Sequence, residues 1–170
     1  MVNEALILDD IDKSIVQFIQ NDPTITHTQI AKKINRSQPT VGMRIKKLEK
    51  LGILTFQAGL NLKNTNCYLA KLSLQSSDPP AIIQIIKSCP YMIQGYITSG
   101  ISNFDIIIAN PNLKNIDKIV NYHFRNNPKV EKINMEIITN IINKFVIPVD
   151  FRIQSCNCVK KPKKNEINVS

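Results

Sequence analysis

Between Thr26 and Gly52 the chain carries two helix starts separated by one short break, and few folds accommodate that pattern. Thr26-His27-Thr28-Gln29 is a capping box: the threonine oxygen can accept from the third helical N–H, and the glutamine three residues on can reach back. Ile30, Ala31 and Ile34 then share one face. After the break Asn35-Arg36-Ser37 comes a second start, with Ser37 as cap and Pro39 in the first turn, where a missing N–H costs little. Val41, Ile45 and Leu48 recur at i, i+4 and i+7 and should face a core, and Gly52 ends the helix. Upstream, Asp9 to Gln20 repeats Ile11, Ile15, Phe18 and Ile19 on one face, with Asp9 or Asp10 as cap and Asn21-Asp22-Pro23 as stop.

Charge separates the second of these paired helices from an ordinary bundle helix. Its face away from Val41 carries Pro39, Thr40, Met43, Lys46, Lys47 and Lys50, with Arg44 on the flank. From Lys32 to Lys50 there are seven bases and one acid, and residues 151–170 hold five bases against Glu166. The stretch 61–150 has nine bases and six acids, so the net charge of +9 is concentrated in two patches suited to a polyanion. Two helices joined by a short break, the second basic outside, describe a helix-turn-helix. A helix about 10–12 Å across fits the major groove of B-DNA. Gln38, Thr40, Met43 and Arg44 are then expected at base edges. Arg36, Lys46 and Lys47, with Lys32 and Lys33 on the preceding helix, are expected at phosphates, and Ser37 sits at the start of the same contact set.

The remainder alternates between periods. Ile53–Ala58 reads as a strand leaving the bundle, and the polar, Asn-rich stretch 59–66 as a hinge. Strand, helix, strand, strand, helix, strand then follow at 67–74, 81–88, 91–98, 105–109, 113–125 and 130–142. In the second of these helices Leu113, Ile116, Ile119, Val120 and Phe124 are expected inward. That order is the ferredoxin-like βαββαβ unit, an antiparallel sheet with two helices on one face. Its uncovered face invites a second copy of the chain. The fold class is therefore α+β, a winged or three-helix helix-turn-helix domain followed by a ferredoxin-like domain. The expected boundaries are 1–55, a linking strand and hinge at 56–66, 67–150, and a basic cysteine-containing tail at 151–170.

With these elements in order, the chain resembles the Lrp/AsnC, or feast/famine, family of transcriptional regulators. Leu8 to Ile15 resembles the family's opening helix, Thr26 to Ile34 its second, and Arg36 to Ile53 its recognition helix and exit strand. The resemblance spans residues 5 to about 150 and is most specific in the first 55. It implies a homodimer or higher homo-oligomer built through the C-terminal sheets, with paired helix-turn-helix units on a palindromic double-stranded operator. It also implies an amino acid or other small effector bound between regulatory domains. The family's hairpin usually places Gly and Asp three positions apart. Here Gly100 and Asp105 are separated by Ile101-Ser102-Asn103-Phe104, two residues more. Thr98, Gly100 and Asp105 are the candidate effector contacts, since an amino acid needs donors for its carboxylate and an acceptor for its ammonium.

Four cysteines, Cys67, Cys89, Cys156 and Cys158, are too few and too unevenly spaced for a secreted disulfide framework. Cys156-Asn157-Cys158 is a pair that can take a soft metal or report redox state, although two thiolates do not complete a zinc site. Cys67 and Cys89 read as core residues, and His27 and His123 as structural or surface residues without a Cys/His partner at metal-ligand spacing. Phosphate-binding glycine loops, His-Glu-x-x-His and Gly-x-Ser-x-Gly motifs do not occur, so a non-enzyme needing no cofactor is expected. No apolar run nears the roughly 18 residues of a membrane span, and no signal peptide is visible, which points to the cytoplasm. The competing reading is a non-specific DNA-organising protein, or a metal- or redox-responsive sensor using the Cys pair.

Overall fold

The computed structural model describes residues 8–148 and 157–159, and it divides into two compact units between Gln57 and Ala58. The tail bases Arg152, Lys160, Lys161, Lys163 and Lys164, and Cys156, lie outside the described residues.

The first unit consists of α1 (Asp10–Asn21), α2 (His27–Lys33) and α3 (Gln38–Lys50). Asp9 caps α1 by accepting from the Asp12 N–H at 2.8 Å. Thr26 and Gln29 form the reciprocal capping box of α2, with bonds of 3.2 and 2.8 Å. Asn35, at φ 51°, turns the chain out of α2, and the Arg36 N–H returns to the Ala31 carbonyl at 3.0 Å. Gly52, at φ 68°, does the same after α3: its N–H bonds Glu49 O, and the Ile53 N–H bonds Leu48 O. These two left-handed residues set the break between α2 and α3 and the exit from α3. Ile15, Ile19, Ile30, Ala31, Val41, Ile45, Leu48 and Leu54 form the core of the unit. Each fully buried aliphatic side chain contributes about 1.5–3 kcal/mol.

The second unit contains the expected strand–helix order. A four-stranded antiparallel sheet runs β3–β4–β2–β5, from β2 (Tyr68–Ser76), β3 (Met92–Ile97), β4 (Phe104–Asn110) and β5 (Val130–Ile138). Helices α4 (Pro79–Ser88) and α5 (Leu113–Val120) connect them. The outer strands β3 and β5 are the second and fourth of the unit, as the ferredoxin-like arrangement requires. Ala70, Leu72 and Leu74 of β2 and Phe104, Ile106 and Ile108 of β4 alternate into a core closed by Ile82, Ile116, Ile119, Val120 and Phe124. A short ribbon, β1 (Leu60–Asn61) with β6 (Val146–Ile147), stands apart from this sheet.

Several local expectations are corrected. Ile53–Ala58 forms no strand, because the pairing falls later, at Leu60 and Asn61. The stretch 59–66 is built into the second unit, with Leu62 buried and its N–H bonded to Phe145 O at 2.9 Å. The last strand of the sheet stops at Ile138, after which the chain turns towards β6. Residues 113–125 are α-helical only to Val120; Asn121–Arg125 is a π-turn, and Leu113 is exposed.

Candidate nucleic-acid interface

Helix α3 is held by Val41, Ile45 and Leu48, so its opposite face is presented by the core that buries those three. Gln38, Met43, Lys46 and Lys47 are exposed on it, as are Lys32 and Lys33 on α2 and Arg36 and Ser37 in the turn. Met43 stands 66% exposed, a large apolar side chain on the outer face of the helix. His27, Gln38, Pro39, Gly42, Met43 and Lys46 line a cleft of about 360 Å³ where α2 starts beside α3. Gly42 faces this cleft, and a Cβ there would meet His27 Nδ1 at an ordinary contact distance of 3.4 Å.

Four of the sequence candidates are committed within the unit. The Thr40 and Ser37 hydroxyls lie 2.7 Å apart, and the Thr40 N–H donates to Ser37 Oγ at 3.3 Å, so both belong to the cap of α3. Lys33 Nζ sits 5.3 Å from the centroid of the Phe18 ring. Arg44 departs furthest from expectation. Its Nη1 donates to Asp9 Oδ2 at 2.6 Å and to Asp12 Oδ1 at 2.7 Å, turning the guanidinium back onto α1 instead of outward. Asp12, followed by Asp9, holds the Arg44 pKa above its ordinary value. The Asp12 N–H, and after it Arg44, holds Asp9 below the usual carboxylate range. Arg44 thus clasps α1 to α3, its guanidinium held by two carboxylates at hydrogen-bond distance. What remains free on α3 is Gln38 and Met43 towards its N-terminal half, flanked by Lys46 and Lys47.

The effector candidates fall on and beside the sheet face away from the helices. Asp105 pairs in register with Ser73 on one side and Tyr96 on the other, so all three share that face. The Ser73 hydroxyl donates to Asp105 Oδ1, and Lys71 Nζ lies 3.5 Å from the same oxygen. Thr98 closes the β3–β4 loop by donating its hydroxyl to Ser102 O at 2.6 Å, and exposed Gly100 sits at the tip of that loop. Lys71 and Ser73 are not legible from sequence as part of this group; the strand register alone brings them to Asp105.

Cys158 lies in a short 3₁₀ turn (Asn157–Val159) and is buried, not exposed in a tail. Its sulfur is 4.0 Å from that of Cys89, and the ligand atoms of Cys89, His123 and Cys158 all fall within 4.8 Å of one another. His123 therefore does have cysteine partners, brought from distant parts of the chain. Hydrogen bonding with Cys158 first, and then the adjacent His123 imidazole, draws the Cys89 thiol well below its ordinary pKa against the opposing effect of burial. Cys67 is half-buried.

A family model described as winged helix-turn-helix DNA-binding matches residues 8–55. A helix-turn-helix-type transcriptional regulator of Pyrococcus furiosus is 30% identical over 105 residues, which are 59% of this chain and 70% of that protein. The fold is similar to that of AsnC from Escherichia coli, with a TM-score of 0.71 at 15% identity over 82% of this chain and 99% of AsnC. A transcriptional regulator of Neisseria meningitidis, solved as its complex with L-methionine, gives a TM-score of 0.71 at 17% identity over 83% of this chain and 96% of that one.

Proposed function

The chain belongs to the Lrp/AsnC family of helix-turn-helix transcriptional regulators, and on that premise we propose that it regulates transcription by binding a palindromic double-stranded operator as a homodimer or higher homo-oligomer. The observation that carries this reading is the outward row on α3. Gln38 and Met43 are free for base edges, while Arg36, Lys46, Lys47 and Lys32 are exposed around them for phosphates. Gln can pair bidentately with adenine, and an apolar side chain can meet a thymine methyl group, so the pair favours A·T positions in the half-site. Ser37 and Thr40 serve this surface by fixing the start of α3. The protein is read as a binding protein and not an enzyme. Such a regulator works on chromosomal DNA in the cytoplasm, and among the described residues no helix is long and apolar enough to cross a membrane.

Support for an amino-acid effector comes from the pair Lys71–Asp105. An ammonium and a carboxylate 3.5 Å apart on a partly exposed sheet face offer the two charges that a zwitterion can exchange with. The related regulator solved with L-methionine has the same fold. The ligand would lie over Asp105 with Thr98 and Gly100 at its margin, and the longer loop at 98–103 would shape its side-chain pocket.

Competition at physiological salt between a selected genomic fragment and random-sequence DNA tests the DNA reading. Specific regulators prefer their site by roughly 10³-fold or more. A ratio near one would leave only backbone attraction and overturn it.

A further inference from the structure

We propose that Cys89, His123 and Cys158 form a zinc site in the second unit, with the fourth coordination position open to water or an added ligand. Three segments converge on it. Cys89 terminates α4, Cys158 lies in the 3₁₀ turn at Asn157–Val159, and His123 is carried by the π-turn Asn121–Arg125. A π-turn widens the helix locally and is frequently found at functional sites.

The sulfur–sulfur separation suits a metal better than a disulfide. Two thiolates at about 2.3 Å from a tetrahedral zinc ion stand about 3.8 Å apart, and the two sulfurs here are 4.0 Å apart. A disulfide would have to bring them to about 2.05 Å and would still leave the imidazole unused. His123 Nε2 is buried and has no hydrogen-bond partner among the described residues, which is the state expected of a nitrogen reserved for a ligand. The Tyr91 backbone N–H donates towards the Cys89 sulfur, an outer hydrogen bond of the kind that orients a ligating thiolate. Two sulfurs and one imidazole nitrogen match the preference of zinc over harder cations such as Mg²⁺ or Ca²⁺. A metal held this way ties the segment bearing Cys158 to the end of α4 and to the π-turn.

Reduced full-length protein, stripped by chelator, is titrated with Co²⁺ and then Zn²⁺. One Co²⁺ per chain should bind with a thiolate charge-transfer band and intense tetrahedral d–d bands, and Zn²⁺ should displace it. Cys89→Ser, Cys158→Ser and His123→Ala should each weaken binding by more than the roughly 10–100-fold that loss of an outer-shell partner costs; Cys67→Ser should change nothing. X-ray absorption of the unmodified zinc-loaded chain provides a second readout that does not depend on any variant folding, with both sulfur and nitrogen scatterers expected. An all-nitrogen/oxygen shell would overturn the site, as would failure of the reduced protein to take up metal. Full binding retained in folded Cys89→Ser and His123→Ala would also overturn it, and would assign the metal to Cys156 and Cys158 alone.

Discussion

Arg44 Nη1 lies 2.7 Å from the carboxylate of Asp12, a residue 32 positions earlier that is only 4% exposed. The pair fastens the DNA-facing helix α3 to α1, and Asp9 joins it from the rim at 2.6 Å. On the proposed reading, Arg44 then serves stability while Gln38 and Met43 of the same helix serve DNA recognition.

Arg44→Ala leaves the buried Asp12 carboxylate without its cation. Removing one partner of a buried pair costs about 3–5 kcal/mol, and partial exposure of Arg44 lowers this to about 2–3 kcal/mol. Urea denaturation should show that loss, while the sequence preferred by the folded fraction stays the same. A changed base preference at unchanged stability would return Arg44 to the role its position on the helical wheel suggests.

Gln38→Ala and Met43→Ala should act in the opposite way. Each should relax discrimination at particular base pairs by about 1–3 kcal/mol, with little effect on unfolding. Lys46→Ala with Lys47→Ala should weaken all sequences alike and reduce the salt slope by about two. Anisotropy titrations at several salt concentrations separate the two patterns.

Gly52 tests the backbone rather than any contact, since a Cβ there would meet nothing within 4 Å. Its φ of 68° is left-handed, so Gly52→Ala should cost about 1–2 kcal/mol, and Gly52→Asn should cost less. Equal stability of all three forms would show that this turn carries no conformational preference.

Acid should loosen the first unit through Asp9. Its folded pKa lies below the ordinary carboxylate value because the Asp12 N–H and then Arg44 favour the charged form. The contribution is therefore fully present above the unfolded value of about 3.9 and is lost as pH falls through the lower folded value. Thermal unfolding followed downward from pH 6 should decline most steeply below about pH 4, and Asp9→Asn should flatten that decline.

Asp105→Asn should abolish any calorimetric response to added amino acids while DNA binding without effector is unchanged. A response retained in this variant would place the ligand elsewhere in the second unit.

Much of the architecture is written locally. Thr26 and Gln29, Ser37, and Gly52 act within a few residues of themselves, and the βαββαβ order follows from runs whose period is visible one element at a time. What escapes the sequence is long-range. The two-residue strands at Leu60–Asn61 and Val146–Ile147 are too short to show a period and exist only as each other's partner. Arg44 looks like a DNA contact on a helical wheel because the wheel does not show that Asp9 and Asp12 face it from α1. Cys89 and Cys158 are 69 residues apart, so no spacing rule joins them, and the π-turn that carries His123 has no sequence signature. The open sheet face likewise becomes chemically specific only through the register that sets Lys71 and Ser73 beside Asp105.

Selection of genomic fragments by the purified full-length protein at physiological salt bears most directly on recognition through α3. A dimeric regulator that reads bases with Gln38 and Met43 should enrich a short palindrome with half-sites centred about one helical turn, 10–10.5 base pairs, apart. The Gln38→Ala, Met43→Ala double variant should lose that enrichment. Uniform recovery of fragments by the unmodified protein, or the same palindrome recovered by the double variant, would contradict recognition through α3.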